Sequence, residues 1–223
     1  MRMKKISTLL FVFPALFLFF GCPGVLLAAK TPAFKQLAGD VTEHAASGMR
    51  FPASVGGFKR VGVHEYDETG NHVSVGYNLN LKNTQYCLIA ATVYVSPSPK
   101  VRSFGSRQNV VDSAKATLFK NLYEENKRTI IRTRPNVKLL IEKASPPPNQ
   151  SKQPEGMYAK FSYKEDFGEK NQPVESHLYL YCYVGGNWTV KYRITLRENT
   201  SVEARQELDR FLKNFEWTIT AKK

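Results

Sequence analysis

The sequence lacks the contiguous motifs that mark several large classes of enzyme and metal-binding protein. None of its serines lies in a Gly-x-Ser-x-Gly segment, and it contains neither a His-Glu-x-x-His motif nor an EF-hand loop. These absences exclude the nucleophile elbow of α/β-hydrolases, the zinc-protease helix and the helix-flanked calcium loop. A catalytic site would therefore have to be assembled from residues that are far apart in the sequence.

Histidine is scarce, with four residues in the chain. If residues 59–79 form a hairpin, His64 and His72 lie near its turn, where several acidic side chains accompany them. Imidazole and carboxylate groups together are ligands that divalent metals accept. Their spacing matches no metal-binding motif, however, and such groups at a turn are usually solvated. We therefore predict no metal site, no cofactor and no assigned catalytic residue.

Charged residues are absent from Ile6 to Ala29, a run that follows a short basic start. A basic head and an apolar stretch are typical of a secretory signal. The signal ends in one of three ways: cleavage after residues 1–29, a lipoprotein signal over 1–21 that leaves Cys22 as the lipidated N-terminus, or an uncleaved anchor long enough to span a bilayer. Each of these predicts an exported chain, periplasmic or extracellular.

Cysteine is also rare, since the chain has three. Apart from Cys22, the other two, Cys87 and Cys182, lie in predicted strands. An oxidising compartment allows them to form a disulfide if their strands are neighbours. The alternative is two buried free thiols, because cysteine packs well as a small hydrophobic residue.

Acidic residues are outnumbered by basic ones, 19 against 32, which gives a net charge of +13. Removing the three basic residues of the signal lowers this to +10, and residues 100–143 contribute +7, with eleven basic and four acidic side chains. Such a segment attracts anionic partners, which outside the cytoplasm are lipid headgroups, acidic polymers and acidic proteins. The candidate contact residues are Lys127, Arg128, Arg132, Arg134 and Lys138. The alternative is a solvated helix end and loop.

The strongest local signal is a hairpin over residues 177–196, where two strand-like runs flank Gly185, Gly186 and Asn187. A three-residue loop pairs Val184 with Trp188 and Cys182 with Val190, and we prefer this register to that of a two-residue loop. A slip of one residue would turn every side chain to the other face. The preferred register brings three tyrosines across from two basic residues, and the tyrosines either form a cation–π binding surface or pack beneath a helix. These residues are Tyr179, Tyr181, Tyr183, Lys191 and Arg193.

The order of the remaining elements predicts one domain over residues 51–223. Strands joined by short turns precede a helix near 107–128, and further strands and the hairpin precede a helix near 200–215. Residues 30–50 are expected as a flexible leader or a short helix, and 164–176 as a mobile connection. This order favours an α+β fold with a single antiparallel β-sheet flanked by helices.

The same order and spacing resemble the PsbP-like fold, an α/β/α sandwich found in many small exported bacterial proteins. The resemblance covers most of residues 50–220 and depends on features spread along the chain rather than on one motif. These are Phe51-Pro52, Gly56-Gly57-Phe58, the strand Ala91–Val95 before a long helix, the Gly-Gly-Asn-Trp hairpin, and the closing segment 211–217. It implies a fold, and its members are mostly non-enzymatic; no functional residue is transferred from them.

From these observations we expect a non-enzymatic accessory or binding domain of the cell envelope. Its partner would be a protein or an anionic envelope component that contacts the basic segment. Membrane contact would come through the signal, a lipid anchor or that segment. Nucleic acid is not expected, because the chain carries an export signal and no recognition motif. The alternative is an envelope hydrolase with a noncontiguous active site.

Overall fold

The computed structural model of the chain describes residues 32–80, 86–101, 107–148 and 154–219, which form strands and two helices. The strands are β1 (Phe34–Leu37), β2 (Val41–His44), β3 (Arg50–Pro52), β4 (Ser54–Val55), β5 (Phe58–Glu65), β6 (Val73–Asn80), β7 (Cys87–Pro97), β8 (Lys138–Ser145), β9 (Gly156–Phe167), β10 (Glu169–Val184) and β11 (Trp188–Arg197). The helices are α1 (Gln108–Thr133) and α2 (Val202–Asn214). The predicted signal segment and Cys22 lie outside the described residues.

The prediction of an α+β fold with a single sheet flanked by helices is wrong. About half of the described residues lie in strands, arranged in two antiparallel sheets of three and eight strands, and the described ranges include only two helices. The smaller sheet has the order β1-β2-β3, and the larger has the order β4-β5-β6-β7-β11-β10-β9-β8. Two segments that the sequence pattern did not indicate as strands account for much of the difference.

The first of these segments is the expected leader. Gly39 and Asp40 both adopt positive φ angles, 72° and 54°, and their turn lets β2 fold back along β1 instead of continuing a helical spacing. Thr42 and His44, on alternate positions of β2, are buried. The described part of 30–50 is therefore a sheet and belongs to the folded region.

The second segment is 164–176, which is strand rather than a mobile connection. Strands β9 and β10 continue past their apolar parts and pair Lys164 with Pro173 and Glu165 with Gln172, before they turn at Gly168. These strand ends carry polar side chains on both faces. They therefore lack the alternation that predicts a half-buried strand.

Helix α2 covers one face of the larger sheet and forms the main core with it. Phe211 belongs to α2, and Phe215 directly follows this helix. The two rings pack against Phe58, Tyr77 and Tyr192, and the centroids of the Phe58 and Phe211 rings are 4.6 Å apart. All five side chains are essentially inaccessible to solvent. Burial of several aromatic rings, each worth roughly 1.5–3 kcal/mol, makes this face the main source of stability.

Helix α1 packs on the opposite face, over β9 and β10. Its buried residues, Tyr123 and Ile130, join a smaller cluster with Phe161, Leu178 and Leu180. The neighbouring positions of β6, β7 and β11 on this face carry polar or small side chains instead of a continuous apolar surface. Beside α1 there is therefore a half-buried polar strip.

A bulge in the β10–β11 hairpin decides which side chains reach that strip. The predicted pair Val184–Trp188 is confirmed, but the predicted pair Cys182–Val190 is wrong, because Tyr181 pairs with Val190. Tyr183 has a φ of 60°, and the register shifts between Tyr181 and Val184. One extra residue on β10 turns the following side chains to the other face.

The bulge separates the tyrosines from the basic residues that were expected to face them. Tyr179 pairs with Tyr192 on the α2 face, whereas Lys191 pairs with Leu180 and Arg193 with Leu178 on the α1 face. Of the two alternatives, the cation–π surface between the β10 tyrosines and Lys191 or Arg193 is therefore wrong, and Tyr179 and Tyr181 pack in the core on the α2 face. The two basic side chains have different neighbours.

Candidate anion-binding site

Lys191 and Arg193 of β11 lie two residues apart on the face of the larger sheet that carries α1. The pairing places Lys191 opposite Tyr94 and Arg193 opposite Thr92 on β7. Lys191 Nζ is 4.2 Å from the centroid of the Tyr94 ring and donates a hydrogen bond to Asn126 Oδ1 of α1 at 3.1 Å. The ammonium group is thus held between the Tyr94 ring and the side-chain amide of Asn126.

The surroundings of these two groups disfavour their charged forms. Burial, together with the positive charge of Arg193, lowers the pKa of Lys191 to about 8. Burial also lowers the pKa of Arg193, whose guanidinium donates to Ser176 Oγ at 3.0 Å. Neither the hydroxyl nor the amide supplies a negative charge, so these hydrogen bonds leave both cations without a direct anionic partner.

Within the described ranges, neither Lys191 nor Arg193 forms a salt bridge with a carboxylate. Glu165 attracts Arg193 from beyond that distance, but its carboxylate is 2.6 Å from the guanidinium of Arg134. Withdrawing a cation from water is costly unless an opposite charge or several hydrogen bonds compensate it. A negatively charged ligand would supply the missing compensation.

Arg134, at the C-terminal end of α1, lines one cavity together with Lys191 and Arg193 and is the third basic group there. Its guanidinium carbon lies 5.8 Å from the centroid of the Tyr163 ring. Its Nε is buried and has no hydrogen-bond partner among the residues described. We call the surface formed by Tyr94, Asn126, Arg134, Lys191 and Arg193 the cationic groove.

Two cavities meet at this groove. One, of about 220 Å³, contains the three basic side chains, and the other, of about 300 Å³, extends toward the start of β6 and the apolar side of α1. The two share three lining residues, Tyr94, Asn126 and Lys191. Lys191 therefore lies at the junction of a cationic and a more apolar compartment.

The predicted basic patch does not form one uniform surface. Lys127 makes ion pairs with Glu124 and Glu142, both at 2.8 Å, and Arg134 pairs with Glu165 while lining the groove. Of the other three, Arg128 lies 4.0 Å from Glu125, Arg132 is exposed, and Lys138 lines a separate cavity of about 630 Å³. Among the five predicted residues, only Arg134 lines the cationic groove.

The two cysteines in the described part of the chain are both free, which is the alternative to a disulfide between them. Cys87 begins β7, whereas Cys182 accepts a hydrogen bond from Thr189 Oγ1 at 3.3 Å, next to the residue that pairs with Val95. Cys87 and Val95 are eight residues apart along β7, and Cys182 lies near the level of Val95. The two cysteines are therefore separated by roughly 26 Å along the strands. Burial raises the pKa of both thiols to about 11, so neither is an activated nucleophile.

A second charged cluster lies on the opposite face and was not predicted from the sequence. Glu175 accepts two hydrogen bonds from the Arg205 guanidinium, at 3.0 and 3.1 Å, and pairs with Lys160 at 2.9 Å. His177 Nε2 is 3.6 Å away, and the other ring nitrogen contacts Tyr158 Oη at 3.1 Å. The His177 ring, Arg205 and Lys160 together hold the pKa of Glu175 well below its usual range, while burial lowers the pKa of His177.

This Glu175 cluster contains its own anion, which is paired with two cations. Its three cationic or imidazole partners surround one carboxylate, and Glu175 and His177 are each only 8% exposed. Such an arrangement joins β9, β10 and α2 rather than presenting an unpaired charge to a ligand. We therefore interpret it as a structural cluster.

A serine–histidine contact also occurs, between Ser47 Oγ and His44 Nδ1 at 2.8 Å. The other ring nitrogen of His44 contacts the Gly70 carbonyl oxygen at 2.7 Å. This resembles a nucleophile–base pair. However, His44 is 0% and Ser47 3% exposed, and burial lowers the pKa of His44. The contact therefore closes a turn between β2 and β3 and is inaccessible to a substrate.

No group of three or more metal-ligating side chains occurs within the ranges that the structure describes. At the β5–β6 turn, His72 lies 3.8 Å from Asp67, and His64 pairs with Ser74 on the neighbouring strand. In the same ranges, no helix is both long and apolar enough to cross a membrane.

Among solved structures, the chain is similar to a protein from Bacteroides thetaiotaomicron VPI-5482, whose crystal structure was determined at 1.50 Å resolution. The TM-score is 0.35 and the identity 14%, over 76% of this chain and 48% of the other. The chain thus spans about half the length of that protein. No protein-family model and no curated protein match the chain. The resemblance to the PsbP-like fold therefore stays a prediction.

Proposed function

We propose that this protein is an exported, non-enzymatic binding domain of the cell envelope that holds an anionic group of its partner in the cationic groove. The observation that carries this proposal is the pair Lys191 and Arg193, which line one cavity, are largely withdrawn from water and form no salt bridge with a described carboxylate. Proteins rarely keep such charges without a compensating group. An acidic ligand would provide it.

The groove supports binding better than the exposed helix surface does. Lys127 and Arg128 already have acidic partners on α1 or β8, so part of the positive charge of that surface is neutralised locally. Exposed charges are also screened by salt, whereas charges in a cavity are screened less. Binding is favoured over hydrolysis because the Ser47–His44 pair is sealed from solvent.

Isothermal titration calorimetry of the full chain with inorganic phosphate tests the proposal. The double variant Lys191→Met/Arg193→Met should bind phosphate about tenfold more weakly than wild type, equivalent to about 1.4 kcal/mol. The matched control is Lys120→Met/Arg132→Met, which removes the same charge from exposed positions of α1. We expect the control to bind like wild type at physiological ionic strength.

Equal phosphate affinity in the groove variant and wild type would contradict the proposal. An equal loss in both double variants would show that net charge, rather than the groove, determines binding. Circular dichroism of each variant establishes that the comparison is made between folded proteins.

A further inference from the structure

The larger of the two cavities at the groove has walls of a different chemical kind from the smaller one. Leu122 of α1 and Leu180 of β10 line it, and Leu180 is only 1% exposed. The rings of Tyr66 and Tyr94 line the cavity as well. They are stacked, with centroids 6.2 Å apart and an interplanar angle of 25°. Two aliphatic and two aromatic side chains thus adjoin the Lys191 ammonium, and the remaining lining includes the polar side chains of His72, Ser96, Asn126 and Thr189.

The smaller cavity is richer in cationic and hydroxyl groups, although Tyr94 and Ile130 line it as well. Its polar lining comes from Arg134, Lys191 and Arg193, with the hydroxyls of Thr129 and Thr133 on α1. A ligand that fills both cavities must therefore carry negative charge at one end and apolar surface at the other. The larger cavity has a volume of about 300 Å³, which is at the lower limit of pockets that hold small molecules.

We propose, building on the binding function above, that the ligand is a small organic acid with an apolar body. Its carboxylate occupies the smaller cavity near Lys191 and Arg193, where it neutralises the uncompensated charge. Its hydrocarbon or aromatic body lies in the larger cavity, against Leu122, Leu180 and the Tyr66–Tyr94 stack. Recognition then combines a charge-assisted contact with burial of apolar surface.

Two features of the molecule support a single amphiphilic ligand over two separate ones. Lys191 lines both cavities, as do Tyr94 and Asn126, so the compartments are continuous at the ammonium group. Tyr66 is 60% exposed although it is stacked on Tyr94. An apolar body beneath its ring would cover surface that is now in contact with water.

Calorimetric titrations of the full chain with octanoate, acetate and octanol test this inference. Acetate is the head without the body, and octanol is the body without the charge. Octanoate should bind at least about tenfold more tightly than either, because each additional buried methylene group strengthens binding. If octanoate binds no more tightly than acetate, the ligand class is wrong while the anion site remains. If neither acid nor phosphate binds, both proposals are wrong.

Two variants separate the ends of the ligand. Tyr66→Ala, at an exposed position, should weaken octanoate binding about fivefold and leave acetate binding unchanged, whereas Lys191→Met should weaken the binding of both acids. Leu140→Ala, at an exposed position of β8, is the control for nonspecific contact with the alkyl chain. A loss of octanoate affinity in this control equal to that in Tyr66→Ala would overturn the assignment of the larger cavity.

Discussion

The larger sheet carries a charged cluster on each face, and the two clusters differ in whether a carboxylate pairs with their cations. On the α2 face, Glu175 is surrounded by Arg205, Lys160 and His177, so the cluster contains both signs of charge. On the α1 face, Lys191 and Arg193 have hydroxyl, amide and aromatic neighbours and no paired carboxylate. The first arrangement is compensated within the folded chain, and a bound anion would compensate the second.

This difference shows how a buried charge can be assigned to structure or to function. A charge whose partner belongs to the same chain is compensated as soon as the chain folds. A charge without such a partner lowers stability until a ligand arrives, and binding sites commonly accept this cost. Opposite effects of mutation at the two clusters are therefore expected.

The largest effect is expected at Glu175. Glu175→Gln leaves Arg205 and Lys160 without their carboxylate and should lower the free energy of unfolding by roughly 3 kcal/mol, the lower end of the range for breaking a buried ion pair, since Arg205 is partly exposed. Urea denaturation measures this loss. Glu169→Gln, whose carboxylate is 68% exposed in its contact with Arg197, is the matched control and should change stability by less than about 0.5 kcal/mol.

Removing the charge at Lys191 should raise the free energy of unfolding instead of lowering it. Lys191→Met retains most of the side-chain volume and removes an ammonium that has no acidic partner, so the unliganded protein should gain about 1 kcal/mol of unfolding free energy. The gain is limited because the Asn126 hydrogen bond and the Tyr94 contact are lost as well. A destabilisation as large as that of Glu175→Gln would show that the two clusters do not differ in the way described.

The pH dependence of stability reports on the same lysine. Its pKa is lowered from 10.5 to about 8, so between these values the unfolded chain binds the proton and the folded chain does not. The free energy of unfolding should therefore rise with pH in this window, by at most about 1.4 kcal/mol per pH unit from this group. Below pH 8 the amine is protonated in both states, and the dependence on this group disappears.

Anion affinity should change in the opposite direction, falling as pH rises above 8 because the free protein loses the ammonium charge. The titratable or charged groups that line the two cavities are Tyr66, His72, Tyr94, Arg134, Lys191 and Arg193. The difference in pH dependence between wild type and Lys191→Met isolates the contribution of Lys191. Identical profiles for the two proteins would refute the assignment.

The smallest effect is expected on the exposed surface of α1. Arg132→Ala should change phosphate affinity less than about twofold, whereas Arg134→Ala should reduce it about fivefold, because only Arg134 lines the cationic groove. The reverse order would restore the exposed basic segment as the binding surface. Retention of the same variants on vesicles containing acidic lipid tests whether a membrane surface is the partner.

Much of the β10–β11 hairpin could be predicted from its residues, but the bulge at Tyr183 could not. Gly185, Gly186 and Asn187 specify the loop, and the alternation of β11 places Lys191 and Arg193 on one face. The bulge depends on Tyr183, whose N–H donates to Ser98 Oγ at 2.8 Å. That contact joins residues 85 positions apart, and a local pattern contains no information about it.

The same limit applies to the two charged clusters. Glu175 lies in a polar part of β10, and its partners Lys160 and Arg205 belong to other elements, so their spacing along the chain indicated nothing. The basic segment around residues 127–138 was visible as a run of like charge. Because a run does not show which cations line a cavity, Arg134 could not be distinguished from Lys127 without the tertiary structure.

Chemical-shift mapping by NMR, with octanoate added to the isotopically labelled full chain, shows directly which of the two clusters binds an anion. We expect concentration-dependent shifts at Tyr94, Lys191 and Arg193 and none at Lys160 or Arg205. Shifts confined to the Glu175 cluster, or spread evenly over exposed lysines and arginines, would contradict it.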